Sequence, residues 1–285
     1  MVFTKLQALG NDFLLVASSD LPAGVDPGRV AVRLCDRHYG AGADGVIVTA
    51  PGDGGIDCAS RIFNADGSEA EVSGNGTRCV AAWLDHRGAW PAGDSAVRIA
   101  TGAGTRRVRR IGREVKAARY EMEMGVPRFA SDAVPMALTP PRERVVGYPL
   151  DVDGRRFAVT VLSVGNPHCS IVLDDLESID FRAVGAAVER HALFPERVNV
   201  EFVEVLAPDR IRARFWERGV GATLSSGTGS CAAALAATLS GRAGREVAVE
   251  TPAGVLDVTW REDDVVLLTG PVEWLYTGQW EAGFD

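Results

Sequence analysis

The feature that most limits what this chain can fold into is a repeat. Ser73-Gly74-Asn75-Gly76 recurs as Ser226-Gly227-Thr228-Gly229, 153 residues later, and Arg61-Ile62-Phe63 recurs as Arg214-Phe215-Trp216 at the same separation. Three further landmarks keep the order: Gly10-Asn11 with Gly165-Asn166 at 155, Thr101-Gly102-Ala103-Gly104 with Thr251-Pro252-Ala253-Gly254 at 150, and Gly125 with Gly270 at 145. Landmarks that recur in one order with slowly drifting separations predict a duplicated domain. A length of 285 residues agrees, at roughly 150 residues per domain.

Both copies of the Ser-Gly-x-Gly turn stand directly before an Ala-rich run that reads as a helix. The first lies in the polar stretch from Asn64 to Arg78, and the second in the stretch from Glu217 to Cys231. A helix N-terminus presents unpaired N–H groups and a partial positive charge, and glycine lets the backbone approach a ligand closely. Two such ends on one ligand would hold an anion such as a carboxylate. The expected fold is therefore α+β, in two pseudo-symmetric halves of about 1–118 and 119–272, with a segment of about 273–285 packing back onto the first. Pseudo-twofold packing places the two helix starts opposite each other across a central cleft, where domain interfaces favour ligand sites. Ser73 and Ser226 then flank whatever is held there. Groups on opposite faces of one carbon suit stereoinversion, one removing a proton and the other returning it. Serine is also among the best helix-capping residues, so capping is the alternative role for both.

The remaining elements follow from local pattern. Phe3 to Val16 alternates on either side of Gly10-Asn11-Asp12 and predicts two strands joined by a tight turn. A helix from about Gly28 to Arg37 follows Pro27 and ends before the glycine-rich Gly40 to Gly45. Strands are expected at Val46–Thr49 and Asp57–Phe63, a helix at Asn75–His86, and a meander at Val97–Ala100, Thr105–Ile111, Val115–Ala118 and Tyr120–Met124. Thr139-Pro140-Pro141 continues as a polar loop.

Composition narrows the function classes. A formal charge of −8 argues against nucleic acid, because phosphate neutralisation needs a basic surface. The one basic run, Arg106, Arg107, Arg109, Arg110 and Arg113, alternates as a strand with one wet face. No apolar run approaches the roughly 20 residues needed to span a bilayer, and Met1 to Val16 lacks the parts of a signal peptide, so the cytoplasm is expected. Five scattered cysteines without a CxxC pair signal neither a disulfide framework nor a zinc site.

The motifs Leu9-Gly10-Asn11-Asp12-Phe13, Gly42-Ala43-Asp44-Gly45, Phe63-Asn64-Ala65-Asp66-Gly67-Ser68-Glu69, Gly74-Asn75-Gly76-Thr77-Arg78, Gly165-Asn166-Pro167-His168, Val198-Asn199 and Glu217-Arg218-Gly219 with Gly227-Thr228-Gly229 together resemble the diaminopimelate epimerases. These belong to the pyridoxal-phosphate-independent amino-acid racemases and epimerases. The resemblance covers essentially the whole chain. It implies two domains, each a barrel-like sheet around a central helix, and a diamino dicarboxylate inverted at one α-carbon without cofactor or metal. It also implies that the reacting carboxylate is bound at Gly74, Asn75, Gly227 and Thr228. Asn11, Asn64, Asn166, Asn199, Glu217 and Arg218 would read the amino groups and the distal carboxylate. Among partners, a small molecule is expected, nucleic acid and membrane are not, and a homodimer is allowed.

The departure is central. The family carries its acid and base as two cysteines, where this sequence has Ser73 and Ser226. A thiol ionises at about 8.5, and lower at a helix N-terminus, whereas serine has no comparable access to its anion. Serine needs a second base to take its proton, and His168 and Glu217 are the candidates. Cys79 and Cys231 lie more than a turn deeper in their helices and face elsewhere. Three functions stay open: an epimerase or racemase working through the serines, an isomerase or lyase needing one acid-base group, and a non-catalytic binding protein or cysteine-to-serine variant.

Overall fold

The computed structural model describes every residue except 71–72, 93–95, 114–116, 282 and 285. The chain divides into two compact units, one of Met1–Glu123 with Thr269–Asp285 and one of Met124–Leu268.

The first unit opens with β1 (Val2–Ala8) and β2 (Asn11–Ala17), a hairpin in which Ala8 pairs with Asn11. Leu9 and Gly10 both sit at positive φ, the combination that matches a two-residue turn to the twist of its strands. After α1 (Pro27–Cys35), β3 (Gly45–Pro51) returns parallel to β2, β4 (Cys58–Asn64) runs antiparallel to β3, and short β5 (Glu69–Ala70) folds against β4. Helix α2 (Gly74–His86) follows, then β6 (Ala96–Thr101) parallel to β4, β7 (Gly104–Arg113) and β8 (Ala118–Gly125). The strand expected at Val115–Ala118 lies largely outside the described residues, as do Glu71 and Val72 of the polar stretch before α2.

The second unit repeats this connectivity. After β9 (Val145–Val152), β10 (Arg155–Ser163) and β11 (Pro167–Leu173) form the hairpin, and α3 (Phe181–Glu189) leads to β12 (Asn199–Ala207), parallel to β11. Then come antiparallel β13 (Arg210–Glu217), short β14 (Gly221–Thr223), α4 (Gly227–Leu239), β15 (Glu246–Thr251) parallel to β13, and β16 (Gly254–Trp260). The final strand, β17 (Val266–Gln279), carries the chain into the closing segment of the first unit. A duplicated α+β fold is what the sequence separations require.

Two kinds of helix result from two kinds of pattern. In α1 one stripe, Val30, Ala31, Leu34 and Cys35, is buried, and Arg29 and Arg33 stay outside. Asp26 caps its start by accepting from the Gly28 and Arg29 N–H groups, and Pro27 supplies the helical φ. Helices α2 and α4 are buried on nearly every side, from Gly74 to Leu84 and, Thr228 apart, from Gly227 to Ala237. A helix buried all round must be encircled: α2 packs on β1, β2, β3, β4, β6 and β7, and α4 on β10, β11, β12, β13, β15 and β16. Each central helix is thus wrapped by the strands of its own unit, with α1 or α3 on the outer face.

Strand parity assigns the two faces. In the first unit Leu14, Val16, Val46 and Val48 pack with Val30 and Leu34, while Ile47 and Ile62 point the other way, toward Gly76 of α2. In the second, Cys169, Ile171, Val200 and Phe202 join Val188 in the outer core. Burying one such leucine or valine completely contributes about 1.5–3 kcal/mol. The opposite parity, His168 and Ser170 on β11 with Asn199 and Glu201 on β12, is polar and lies on the α4 side. That polar set is where the second unit departs from a pure packing solution.

Candidate active site

The two helix starts share one local geometry. Ser73 is extended at φ −133° and ψ 124°, and its Oγ accepts the Gly76 N–H at 3.0 Å. Ser226, at −136° and 126°, accepts the Gly229 N–H at 3.2 Å. Both serines therefore cap their helices, the role weighed against catalysis. Capping uses an oxygen lone pair and leaves the hydroxyl hydrogen for another partner. The glycine three residues on is set by space: a Cβ at Gly229 would lie 2.9 Å from Phe215 Cδ1 and 3.0 Å from Ser226 Oγ. One at Gly76 would meet Ile47, Ile62 and Ser73 at 3.1–3.2 Å.

In the first unit a polar chain fixes the side chains beside α2. Arg78, wholly buried, donates to Asn75 Oδ1 at 2.6 Å; Asn75 Nδ2 donates to Asn11 Oδ1 at 3.3 Å; Asn11 Nδ2 donates to Asp44 at 2.8 Å. Because a guanidinium only donates and a carboxylate only accepts, the ends of the chain dictate which way both amides face. Arg37 bridges Asp44 and Asp12, and Lys5 lies 2.8 Å from Asp12. Burial would raise the Asp12 pKa, but hydrogen bonds from Arg37 and Lys5 outweigh it and hold the carboxyl below its ordinary range. Asn64 is exposed at the end of β4, its amide donating to Ser68 Oγ at 2.9 Å within a turn closed by Gly67 at φ +86°.

In the second unit the half-buried Glu217 ends β13, and the Ser226 hydroxyl donates to its Oε2 at 3.0 Å. Of the two residues expected to take a serine proton, this carboxylate is the one in contact with the hydroxyl. His168 has other partners. Its Nδ1 lies 2.6 Å from Glu201 Oε1 and its Nε2 lies 2.8 Å from Asn166 Oδ1, while Asn166 Nδ2 donates to Thr228 Oγ1 at 3.4 Å. Ser170 donates to the second Glu201 oxygen at 2.8 Å. Burial drives the Glu201 pKa up, against the lowering effect of His168 and Ser170. Asn199 is committed to backbone, donating to the Pro167 carbonyl and accepting the Arg218 N–H. Arg218 is exposed and bonds the Glu196 carbonyl at 3.3 Å. The turn beyond it is held by Glu189, which accepts from Gly219 N at 2.9 Å and Trp216 Nε1 at 2.8 Å.

Cys79 and Cys231 are fully buried, and burial pushes the Cys79 thiol to about 12. At that value Cys79 offers no thiolate near neutrality. The sequence reading quoted Asp44 and Arg78 within motifs but gave them no role, and it passed over Ser170, Glu189 and Glu201. A signal did exist for Glu201: an acid alternating with Asn199 and Val203 on a strand whose intervening positions are Val200 and Phe202.

Comparisons with known proteins identify the family and agree with the fold. The sequence model of the diaminopimelate epimerase family matches residues 3–130 and 160–275. A diaminopimelate epimerase of Microcystis aeruginosa is 44% identical over 277 residues, covering 97% of both chains. One from Synechococcus sp. (strain JA-3-3Ab) is 46% identical over 281 residues, covering 97% of this chain and 96% of its own. Among solved structures, a Bacillus anthracis phenazine biosynthesis protein of the PhzF family has a TM-score of 0.68 at 16% identity, covering 98% of each chain. A hydroxyproline epimerase from Agrobacterium vitis has a TM-score of 0.64 at 15% identity, covering 98% of this chain and 90% of its own. Likenesses at that identity establish the shared fold.

Proposed function

From the premise that the chain belongs to the diaminopimelate epimerase family, we propose that it interconverts LL- and meso-diaminopimelate by proton transfer at one α-carbon, with Ser73 and Ser226 in the acid and base positions. The observation that carries the reading is the 3.0 Å hydrogen bond from Ser226 Oγ to Glu217 Oε2 at the N-terminus of α4. A serine oxygen becomes a useful base only if its own proton has somewhere to go, and the carboxylate supplies that place.

In this reading the reacting carboxylate takes N–H groups from Gly74 and Asn75 of one helix start and Gly227 and Thr228 of the other. Negative charge developing at the α-carbon is drawn toward that carboxylate, where the helix N-termini stabilise it. Ser226 Oγ takes the α-proton as its hydroxyl proton passes to Glu217. The Ser73 hydroxyl gives its proton to the other face of the carbon, water reprotonates the Ser73 oxygen, and Glu217 releases the proton it took to the hydroxide so formed, which closes the cycle. The reverse direction retraces the same path: hydroxide takes the Ser73 hydroxyl proton, the Ser73 oxygen takes the α-proton, and Ser226 returns a proton that Glu217 resupplies. Asn11, Asn64, Asn166, Asn199 and Arg218 bind the amino groups and the distal carboxylate. The reaction needs no pyridoxal phosphate, because acid, base and anion cradle all come from the chain. The proposed setting is the cytoplasm and the pathway to lysine and peptidoglycan precursors; five free thiols suit a reducing compartment.

The test is α-proton exchange in D2O with LL- and meso-diaminopimelate, run beside a Ser73→Cys, Ser226→Cys double variant. Exchange by the parent, slower than by the variant, is expected. No exchange by the parent with recovery by the variant removes the serines from the chemistry and leaves a binding role.

A further inference from the structure

The buried trio of His168, Glu201 and Ser170 is larger than capping or packing requires. All three side chains are wholly or almost wholly excluded from solvent, at 0%, 1% and 0% exposure. The parallel register of β11 and β12 sets His168 beside Asn199 and Ser170 beside Glu201, so the carboxyl reaches back to the imidazole and across to the hydroxyl from one face. Burying an acid in a strand is costly, and the cost is met only by specific hydrogen bonds. We infer that Glu201 is a positioning residue: it fixes the tautomer of His168 so that Nε2–H holds the Asn166 amide, and through it Thr228, at the start of α4.

Donor and acceptor inventories assign the protons of this trio. Asn166 Nδ2 donates to Thr228 Oγ1, so Asn166 Oδ1 faces His168 as an acceptor. His168 Nε2 must then carry a hydrogen. That leaves Nδ1, 2.6 Å from Glu201 Oε1, sharing one further proton with the carboxyl, while Ser170 occupies Oε2 as a donor. Whichever partner holds the shared proton, the pair carries no net charge, which suits its burial. Without Glu201, Nδ1 would be a buried acceptor without a donor, and the imidazole would be free to exchange tautomers. The Asn166 amide would then lose the reason for its orientation, and Thr228, whose N–H belongs to the proposed carboxylate cradle, would lose its support. The inference rests on that cradle for its effect on substrate and on hydrogen bonding alone for the tautomer.

The experiment combines long-range 1H–15N NMR of the His168 ring with binding of meso-diaminopimelate, for the full chain and for Glu201→Gln and Glu201→Leu. Glutamine can donate to Nδ1 and accept from Ser170, so it preserves the arrangement without the acid. The expected result is a protonated Nε2 in the parent and in Glu201→Gln, with affinities within about threefold. Glu201→Leu is expected to show mixed tautomers and binding weakened roughly tenfold, the scale of one orphaned buried polar group. A bare Nε2 in the parent overturns the inference and needs no variant, so it stands even if the leucine variant fails to fold. Loss of affinity in the glutamine variant equal to that in the leucine variant also overturns it, since the acid itself would then matter. If the parent does not bind meso-diaminopimelate while Nε2 is protonated, the substrate reading falls and the positioning role remains, because the ring signal requires no ligand.

Discussion

Ser226 gives its hydroxyl hydrogen to Glu217 Oε2 at 3.0 Å while its oxygen receives the Gly229 N–H at 3.2 Å, so one side chain serves both the cap of α4 and a carboxylate. In the repeat the counterpart of Glu217 is Asn64, also at the end of its strand, where an amide replaces the acid. The two serine positions are therefore chemically unequal. Glu217→Gln preserves the size and the hydrogen bond but removes the proton acceptor. α-Proton exchange is expected to fall about 100-fold or more in this variant, measured by mass spectrometry in D2O. An unchanged rate would remove Glu217 from the proton path.

The two helix-start glycines should respond differently to a methyl group. At Gly229 the new Cβ meets Phe215 and Ser226 at 2.9–3.0 Å, whereas at Gly76 its nearest neighbours are the terminal methyls of Ile47 and Ile62. Gly229→Ala is expected to destabilise by about 1–3 kcal/mol through overpacking, with some loss of the Ser226 cap. Gly76→Ala should cost less, because those terminal methyls can shift, while the helix preference of alanine, about 1 kcal/mol, offsets part of the cost at both positions. Urea midpoints of the two variants check the ranking, and equal losses would contradict it.

Asp12 gives a pH signature. Its folded pKa is depressed, so the charged carboxylate favours the folded state. That contribution is complete above the ordinary value of about 4 and is lost as pH falls through the depressed folded value. The stability difference between the parent and Asp12→Asn should be constant near neutrality and should shrink below about pH 4. Urea unfolding at neutral and acid pH measures it. A difference that persists undiminished into strong acid would mean that the Lys5 and Arg37 contacts do not depend on the charge.

All five cysteines are buried, and burial pushes the Cys35 and Cys79 thiols to about 12 and Cys58 to about 11. Native protein at mildly alkaline pH should react slowly with a thiol reagent, and all five thiols should react at once in denaturant. One rapidly modified thiol in the native protein would reveal a reactive cysteine. Ser73→Cys should add a faster-reacting group, because position 73 is half-buried at a helix N-terminus that stabilises a thiolate, whereas Ser226→Cys, buried beside the Glu217 carboxylate, should react more slowly.

Arg218 is exposed, with its backbone N–H fixed by Asn199 and its guanidinium on the Glu196 carbonyl. A guanidinium anchored at one edge can still grip a carboxylate with the rest of its donors. Arg218→Ala is expected to weaken diaminopimelate binding about tenfold or more with little change in stability. Calorimetric titration decides it, and unchanged affinity would mean that the distal carboxylate is read elsewhere.

Duplication, the order of strands and helices through the first half, and the serine at each central helix start were all legible in the sequence. These are local or periodic properties: a capping serine before glycines, alternating strands, and a tight turn read at Gly10-Asn11-Asp12, which the structure closes one residue earlier at Leu9-Gly10 because Asn11 already pairs with Ala8. The sequence also named Ser226 and Glu217 as members of one site. The partners of Glu201, Glu189 and Asp44 follow from strand register and packing, which only the tertiary structure decides. Glu201 meets His168 because β11 and β12 run parallel in one register, Glu189 meets Gly219 because α3 packs beside β13 and β14, and Asp44 meets Asn11 because β3 returns next to β2. Each pairing joins residues about 30 positions apart. An acid reads the same in a chain whether it ends on the surface or beneath a helix. Register and burial choose between those outcomes, and both belong to the folded sheet as a whole.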